Sequence, residues 1–212
     1  MILAVGLSLG WLVTRWQRAE ARREATEAID EFGGSVTLEN ESPEWLSDKV
    51  GEDLTARETH LHIHGVLLHN GKTADDALRH VQALQDLEVV SLEGSSVTGR
   101  GLAELEELAK LESLDLRETA ITDEDLVHLQ GFSRLTHLSL GGTNVTDLGL
   151  ENLAQLANLT ELWLQDTVVT DAGLRDLTGL RNLTTLMLSD TQVTDAGVEK
   201  LQEAIPGCDV VR

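Results

Sequence analysis

The chain has 212 residues with 16 basic and 37 acidic side chains, which gives a formal net charge of −21. Residues 24–212 hold 12 of the bases and 36 of the acids, and this net charge of −24 argues against nucleic-acid binding because it repels phosphate backbones. The single cysteine, Cys208, excludes an intrachain disulfide, and its neighbours PG and DV offer no base for a catalytic thiol. The acidic body either serves solubility or attracts a basic partner.

The first predicted element is an apolar segment at residues 1–16. It reads MILAVGLSLGWLV and then ends in Thr14, Arg15 and Trp16. The apolar run is shorter than the roughly 20 residues that span a bilayer, but Trp and Arg beside it are typical of a membrane interface. We predict an uncleaved single-pass membrane anchor, with a cleaved signal peptide and a surface-lying segment as alternatives. Arginines directly after an apolar run favour a body on the cytoplasmic side.

Residues 17–34 follow as a predicted helical segment. The stretch AEARREATEAIDEF favours a helix, and Gly33 and Gly34 end it. Such a helix serves either as a stalk between anchor and body or as the first capping helix of the body.

Residues 35–86 are predicted to form an N-terminal cap and degenerate repeats. Val36 and Leu38, and later Leu61 and Ile63, are apolar pairs two residues apart. Because side chains alternate between the faces of a strand, each pair predicts one short strand with a buried face.

From Leu87 the sequence repeats every 24 residues, five times, through residue 206. Repeat position 9 is always Ser or Thr, which predicts a hydrogen bond to the turn that leaves each strand. Position 12 is always Thr, and Asp follows it in four of the five blocks, which predicts a helix N-cap and first turn. Residues 207–212 supply a last strand as a C-terminal cap. Positions 4 and 6 are predicted buried in every block: Val90 and Leu92, Leu114 and Leu116, Leu138 and Leu140, Leu162 and Leu164, Leu186 and Leu188.

The pattern LxxLxLxxTxVTDxGLxxLxxL over residues 87–206 resembles the leucine-rich repeat, in the TDxGL variety common in bacterial repeat proteins. The resemblance implies a right-handed α/β solenoid with a parallel sheet on the concave face and short helices on the convex face. The Asn that is usual at position 9 is replaced by Thr or Ser. The lead-in also looks like the anchor of single-pass bacterial members. The function implied is a membrane-tethered scaffold that binds a protein or peptide, with no cofactor and no catalysis.

Two alternatives to this function stay open. The stretch THLHIHG places His60, His62 and His64 on one strand face, where they could serve a metal-binding or hydrolytic module. No acidic or cysteine partner stands at ligand spacing, and the column of TDxGL aspartates is interpreted as first-turn residues rather than a calcium site. The other alternative is a passive structural spacer.

The candidate binding surface lies at repeat positions 3, 5 and 7, which flank the buried pair and point outward. Trp163 occupies such a position without any demand for burial, and Trp and Arg dominate interface energetics. An apolar centre with a polar rim fits a peptide or a protruding loop. The six predicted surface residues are Trp163, Met187, Arg117, Asp115, His137 and Glu161.

Overall fold

The computed structural model describes the backbone of residues 2–39, 57–63 and 73–212, and the side chains of residues 14–37, 61 and 73–212. The α-helices in these ranges are Ile2–Glu31 (α1), Ala74–Leu78 (α2), Gly99–Leu105 (α3), Asp147–Leu153 (α4), Leu174–Leu177 (α5) and Asp195–Ala204 (α6). Short 3₁₀ helices lie at Val81–Ala83 and Asp123–Leu129. The strands are Gly34–Glu39 (β1), Arg57–Ile63 (β2), Val89–Ser91 (β3), Ser113–Asp115 (β4), His137–Ser139 (β5), Glu161–Trp163 (β6), Thr185–Met187 (β7) and Asp209–Val211 (β8).

The strands form one sheet in chain order, from β1 to β8. Strands β2 to β8 are parallel, and equivalent repeat positions lie side by side, as Leu114 does with Leu138. Strand β1 differs, because it runs antiparallel to β2 with Val36 opposite Leu61. The expectation that Val36 begins another parallel repeat is therefore wrong. An apolar alternation of period two fixes which face is buried, but it contains no information about strand direction.

The ten apolar side chains predicted at repeat positions 4 and 6 are buried, each with 1% exposure or less. The core they form continues through the helix leucines, such as Leu102 and Leu105, along the whole row of repeats. Because each layer of side chains is covered by the layers before and after it, no repeat buries its own apolar residues alone. The buried columns are confirmed, and they explain how a chain with 3% aromatic residues maintains a core.

Each turn after a strand is held by the position-9 hydroxyl. In the four later repeats the threonine Oγ1 donates to the carbonyl oxygen three residues earlier, over 2.6–2.7 Å, as Thr143 does to Leu140. The predicted hydrogen bond to turn backbone is thus confirmed. The preceding residue, position 8, has a positive φ in each of the five repeats, but only Gly94 and Gly142 are glycine there.

The TDxGL aspartates connect neighbouring repeats. In each pair the carboxylate accepts hydrogen bonds from the backbone N–H, over 2.7–2.9 Å, and from the hydroxyl, over 2.6–2.7 Å, of the position-12 Thr in the next repeat. The pairs are Asp75 with Thr98, Asp123 with Thr146, Asp147 with Thr170, and Asp171 with Thr194. These aspartates therefore join the repeats as well as standing in or near a first turn, and the sequence indicated only the latter role.

The one break in this series is compensated at the same place. Gly99 stands where an Asp is expected, so Thr122 has no carboxylate from the preceding repeat. Asp125, which replaces the usual glycine of TDxGL, accepts the hydrogen bonds from the Thr122 backbone N–H and hydroxyl instead, each over 2.9 Å. A Cβ atom at Gly99 would lie 2.1 Å from the Asp125 carboxylate, so the acid and the glycine have exchanged positions between the two repeats.

The position-12 threonines cap helices, with one exception. Thr98, Thr122, Thr146 and Thr194 are N-cap residues, as predicted. In the fourth repeat the helix begins later, at Leu174, and Gly173 is its N-cap. The prediction of an N-cap at Thr170 is therefore wrong, although its hydroxyl still accepts a hydrogen bond from the Ala172 N–H.

Helix α1 packs its C-terminal half against the first repeats. Ala25, Ile29 and Phe32 belong to the core, and the Phe32 ring lies 6.1 Å from the His80 ring. Of the two roles left open for residues 17–34, this packing matches a capping helix rather than a free stalk. Among the residues that could be searched for a membrane span, no helix proves both long and apolar enough. The side chains of residues 1–13, where the anchor was predicted, lie outside the described set.

Candidate functional site

The candidate surface, here named the open sheet face, comprises repeat positions 3, 5 and 7 on and just after strands β3 to β7. Alternation along each strand sends these side chains away from the buried pair. Most of them are partly exposed, including Trp163 and Met187, whereas Leu162, Leu164 and Leu186 between them are buried. The sheet thus presents one uncovered face that the core does not need.

Arg117 is the centre of the contacts on this face. Its guanidinium donates to the Asp115 carboxylate through Nε, over 3.0 Å, and through Nη2, over 2.6 Å. Nη2 also donates to Glu93 Oε2 over 3.1 Å. The guanidinium carbon lies 5.6 Å from the centre of the Trp163 ring, within range of a cation–π interaction. Arg117 therefore joins the charged and aromatic parts of the surface, instead of standing in an outer rim as the sequence predicted.

Small residues in the intervening repeat make this contact possible. Arg117 and Trp163 belong to the second and fourth repeats, and the third repeat places Ser139 and Gly141 between them. A Cβ atom at Gly141 would lie 2.5 Å from the Gln165 side chain, so Gln165 lies directly across this glycine. The Gln165 amide oxygen is buried and accepts no hydrogen bond from the described residues. The result is a shallow depression between Arg117 and Trp163.

The remaining predicted residues extend the surface toward both sides. His137 Nε2 lies 3.5 Å from Glu161 Oε1, and the hydroxyl of Thr136 lies 2.8 Å from His137 Nδ1. Met187 is the register partner of Trp163 on the next strand. The structure therefore brings Asp115, Arg117 and Trp163 into one cluster, with Met187 next to it. It places His137 and Glu161 as a separate pair at position 3.

The charge on Arg117 is secure. The hydrogen bond from Asp115 is the main cause that raises the pKa of Arg117 above its ordinary value, against the opposing effect of burial. Asp115 and Glu93 also favour the cation by charge. The cluster formed by these three side chains has a net negative charge, because two carboxylates surround one guanidinium.

The histidine cluster is only partly accessible to description. The backbones of His60 and His62 lie in β2, opposite Thr37 and Ser35 of β1. Their side chains, and all of His64, lie outside the described residues. In the part of the chain whose side chains are described, no group of three His, Cys, Asp or Glu residues is arranged to hold a metal ion.

Three residues of the surface escaped the sequence interpretation. Glu93 is the second acceptor for Arg117, Gly141 leaves the space that Gln165 fills, and Gln165 has the buried amide oxygen. Comparison of positions 7 along the repeats contains a signal for them, since Glu93, Arg117, Gly141 and Gln165 are successive members of that column. Their contacts were not predicted because they depend on side-chain length and direction across repeats.

Comparison with known proteins identifies the repeats. The sequence model described as "Leucine Rich repeat" matches residues 107–129, 134–154 and 179–201. The chain therefore carries leucine-rich repeats, and the predicted architecture of a parallel sheet with short helices is confirmed. No curated protein matches the chain.

Solved structures of bacterial leucine-rich repeat proteins are similar to this chain. A leucine-rich repeat protein of Leptospira interrogans is 18% identical over 71% of this chain and 37% of its own, with a TM-score of 0.50. Internalin C2 of Listeria monocytogenes is 27% identical over 63% of this chain and 55% of its own, with a TM-score of 0.49. A second Listeria internalin is 20% identical over 72% of this chain and 46% of its own, with a TM-score of 0.48. The chain thus spans between 37% and 55% of the lengths of these proteins.

Proposed function

We propose that this protein is a non-enzymatic scaffold that binds a protein or peptide through its open sheet face. The observation that carries the proposal is the half-exposed Trp163, which is stacked on Arg117 at a place where the fold has no need of an aromatic residue. Trp and Arg are the residue types most enriched among those that dominate binding energy. Leucine-rich repeat domains typically bind proteins, which agrees with this assignment.

The shape of the surface favours an extended partner. Neighbouring strands lie about 4.8 Å apart, so the four strands from β4 to β7 present a face about 15 Å wide. The face is open, whereas small-molecule sites enclose most of their ligand. A peptide or a protruding loop with one apolar side chain fits the depression over Ser139 and Gly141, beside Trp163.

The charges favour a basic partner. Around the apolar centre stand Glu93, Asp115 and Glu161, while Arg117 is already paired with two of these carboxylates. The chain as a whole has a net charge of −21. Such a surface attracts Lys and Arg side chains and raises the rate of encounter with a partner that displays them.

Site-directed photo-crosslinking tests the binding face. A benzoylphenylalanine introduced at Met187 places the reactive group on the open sheet face, and one at Leu148, which is 77% exposed on the helix side, serves as the matched control. We expect partner adducts from position 187 and none from position 148. Adducts from position 148 alone would assign binding to the helix side and contradict the proposal.

We propose further that residues 1–16 tether the scaffold to a membrane as a single-pass anchor, with the repeats on the cytoplasmic side. The apolar run and its Trp and Arg flank support the tether, and the arginines after it support the orientation. Full-length protein is expected in carbonate-washed membranes, and a variant with Leu7→Lys and Leu12→Lys is expected in the soluble fraction. Loss of the unchanged chain from washed membranes would refute the tether.

A further inference from the structure

A basic groove lies between helix α1 and the first repeats, away from the open sheet face. It has a volume of about 490 Å³, and Arg15, Arg18 and Arg22 contribute to its wall from one face of α1. Their spacing of three and four residues places them on the same side of the helix. Gln82 and Gln85 from the body line the opposite side.

The groove stays positive in a strongly acidic protein. Asp86 is the one acid among the lining residues, and it forms an ion pair with Lys110 of the next repeat. Three arginines therefore face one carboxylate that already has a basic partner. Guanidinium groups bind phosphate through two parallel hydrogen bonds, so the groove has the chemistry of a site for a phosphate ester.

The position of the groove along α1 points to the source of that phosphate. The helix backbone is continuous from Ile2 to Glu31, so the apolar run that ends at residue 13 leads directly into the arginines. At about 1.5 Å per residue, Arg15 lies about 3 Å beyond that end and Arg18 about 7.5 Å beyond it. The polar layer of one bilayer leaflet is about 5–7 Å thick. The exposed Trp16 side chain, a typical interface residue, lies at the same depth.

We infer that this groove binds the phosphate of anionic phospholipid headgroups when the tether holds the protein at a membrane. The inference rests on the proposed tether and adds a lipid preference to it. The body from residue 24 onward has a net charge of −24, which an anionic surface repels. The arginine groove supplies a local attraction that holds α1 at such a surface despite this repulsion.

Vesicle flotation with the full-length chain tests the inference. Phosphatidylcholine vesicles are compared with vesicles that also contain phosphatidylglycerol. The test variant combines Arg15→Gln, Arg18→Gln and Arg22→Gln, and the matched control combines Arg100→Gln, Arg175→Gln and Arg181→Gln, three exposed arginines elsewhere with the same total charge change. Thermal unfolding of both variants checks that the body remains folded.

We expect the unchanged chain and the control variant to bind the anionic vesicles more tightly. Each arginine near an anionic surface contributes about a fivefold gain in affinity, so the test variant should lose most of a roughly hundredfold preference. Equal loss in both triple variants, or no loss in either, would overturn the inference. Binding of the unchanged chain to both vesicle types equally would leave the tether intact and reject the headgroup site, whereas binding to neither would reject both.

A free phosphate compound is the other source of the same chemistry. The lipid assignment predicts that 10 mM inorganic phosphate leaves the melting temperature of the full-length chain unchanged at constant ionic strength. If phosphate instead raises the melting temperature of the unchanged chain and the control variant but not of the test variant, the groove is a soluble-phosphate site. That outcome would overturn the lipid assignment.

Discussion

The exchange of acid and glycine between repeats predicts a strong coupling between two mutations. Gly99 and Asp125 already show the exchanged arrangement, whereas Asp123 and Gly149 show the usual one one repeat later. The double variant Asp123→Gly with Gly149→Asp would move the exchange to that junction. The new acid stands three residues after Thr146, the same spacing at which Asp125 binds Thr122, so it can accept the same two hydrogen bonds.

The magnitudes follow from the contacts. Asp123→Gly removes two hydrogen bonds to a carboxylate, those from the Thr146 N–H and hydroxyl, and should cost about 2–3 kcal/mol. Gly149→Asp alone places a Cβ atom 2.5 Å from the Asp123 carboxylate and 3.0 Å from a Leu126 methyl, and should cost about 2–4 kcal/mol. With independent effects the double variant would lose about 4–7 kcal/mol. We expect a loss under about 2 kcal/mol, and hence a coupling of at least 2 kcal/mol.

Urea unfolding followed by circular dichroism measures the four members of this cycle. The combination of Asp123→Gly with Gly197→Asp is the control, because the two sites lie in different junctions and their costs should simply add. If the costs of Asp123→Gly and Gly149→Asp also add, then the acid and the glycine are not partners, and our explanation of the Gly99 and Asp125 pair is wrong.

Three further predictions concern the core and the ends of the solenoid. Leu140→Ala should lower the free energy of unfolding by about 2–5 kcal/mol, since Leu140 is fully buried, and an unchanged denaturation midpoint would contradict the repeat register. Burial raises the pKa of the Cys208 thiol to about 11, so iodoacetamide at pH 8 should modify it only after unfolding; rapid modification of folded protein would show an accessible thiolate. The pKa of Asp171 is lowered below 3.8, first by the Thr194 backbone N–H and then by its hydroxyl, so this pair stabilises the fold above that pH and its contribution is lost as the pH falls through the lowered pKa. Titration by NMR should show a higher Asp171 pKa in Thr194→Val, and no change would exclude the hydroxyl as a cause.

Much of the fold could be predicted from the sequence because the repeat supplies redundant information. Five copies of one pattern fix the buried columns, the turn hydroxyls and most of the helix starts. The direction of β1 could not be predicted, since the alternation of Val36 and Leu38 is the same for parallel and antiparallel strands. The late helix start after Thr170 likewise has no distinct signal in a block that matches its neighbours.

The candidate site was predictable by column but not by diagonal. Alternation along the strands indicated that Trp163 faces outward, and the structure places it there partly exposed. The stacking of Arg117 on Trp163 crosses two repeats and depends on the small side chains of Ser139 and Gly141. A long flexible side chain has many possible partners on such a surface, so its actual contact is known only from the structure.

The central claim is that Trp163 serves binding rather than stability. Its contact with Arg117 at a partly exposed site is worth about 0.5–1 kcal/mol to the fold, so Trp163→Ala should lower the free energy of unfolding by about 1 kcal/mol or less. As the centre of an interface it should contribute about 2 kcal/mol or more, a loss of about thirtyfold in affinity for the partner captured by crosslinking. Both quantities are measured on this one variant, with Leu148→Ala as the exposed control on the helix side. The account predicts weakened binding with nearly unchanged stability, and full binding with a clearly lowered stability would contradict it.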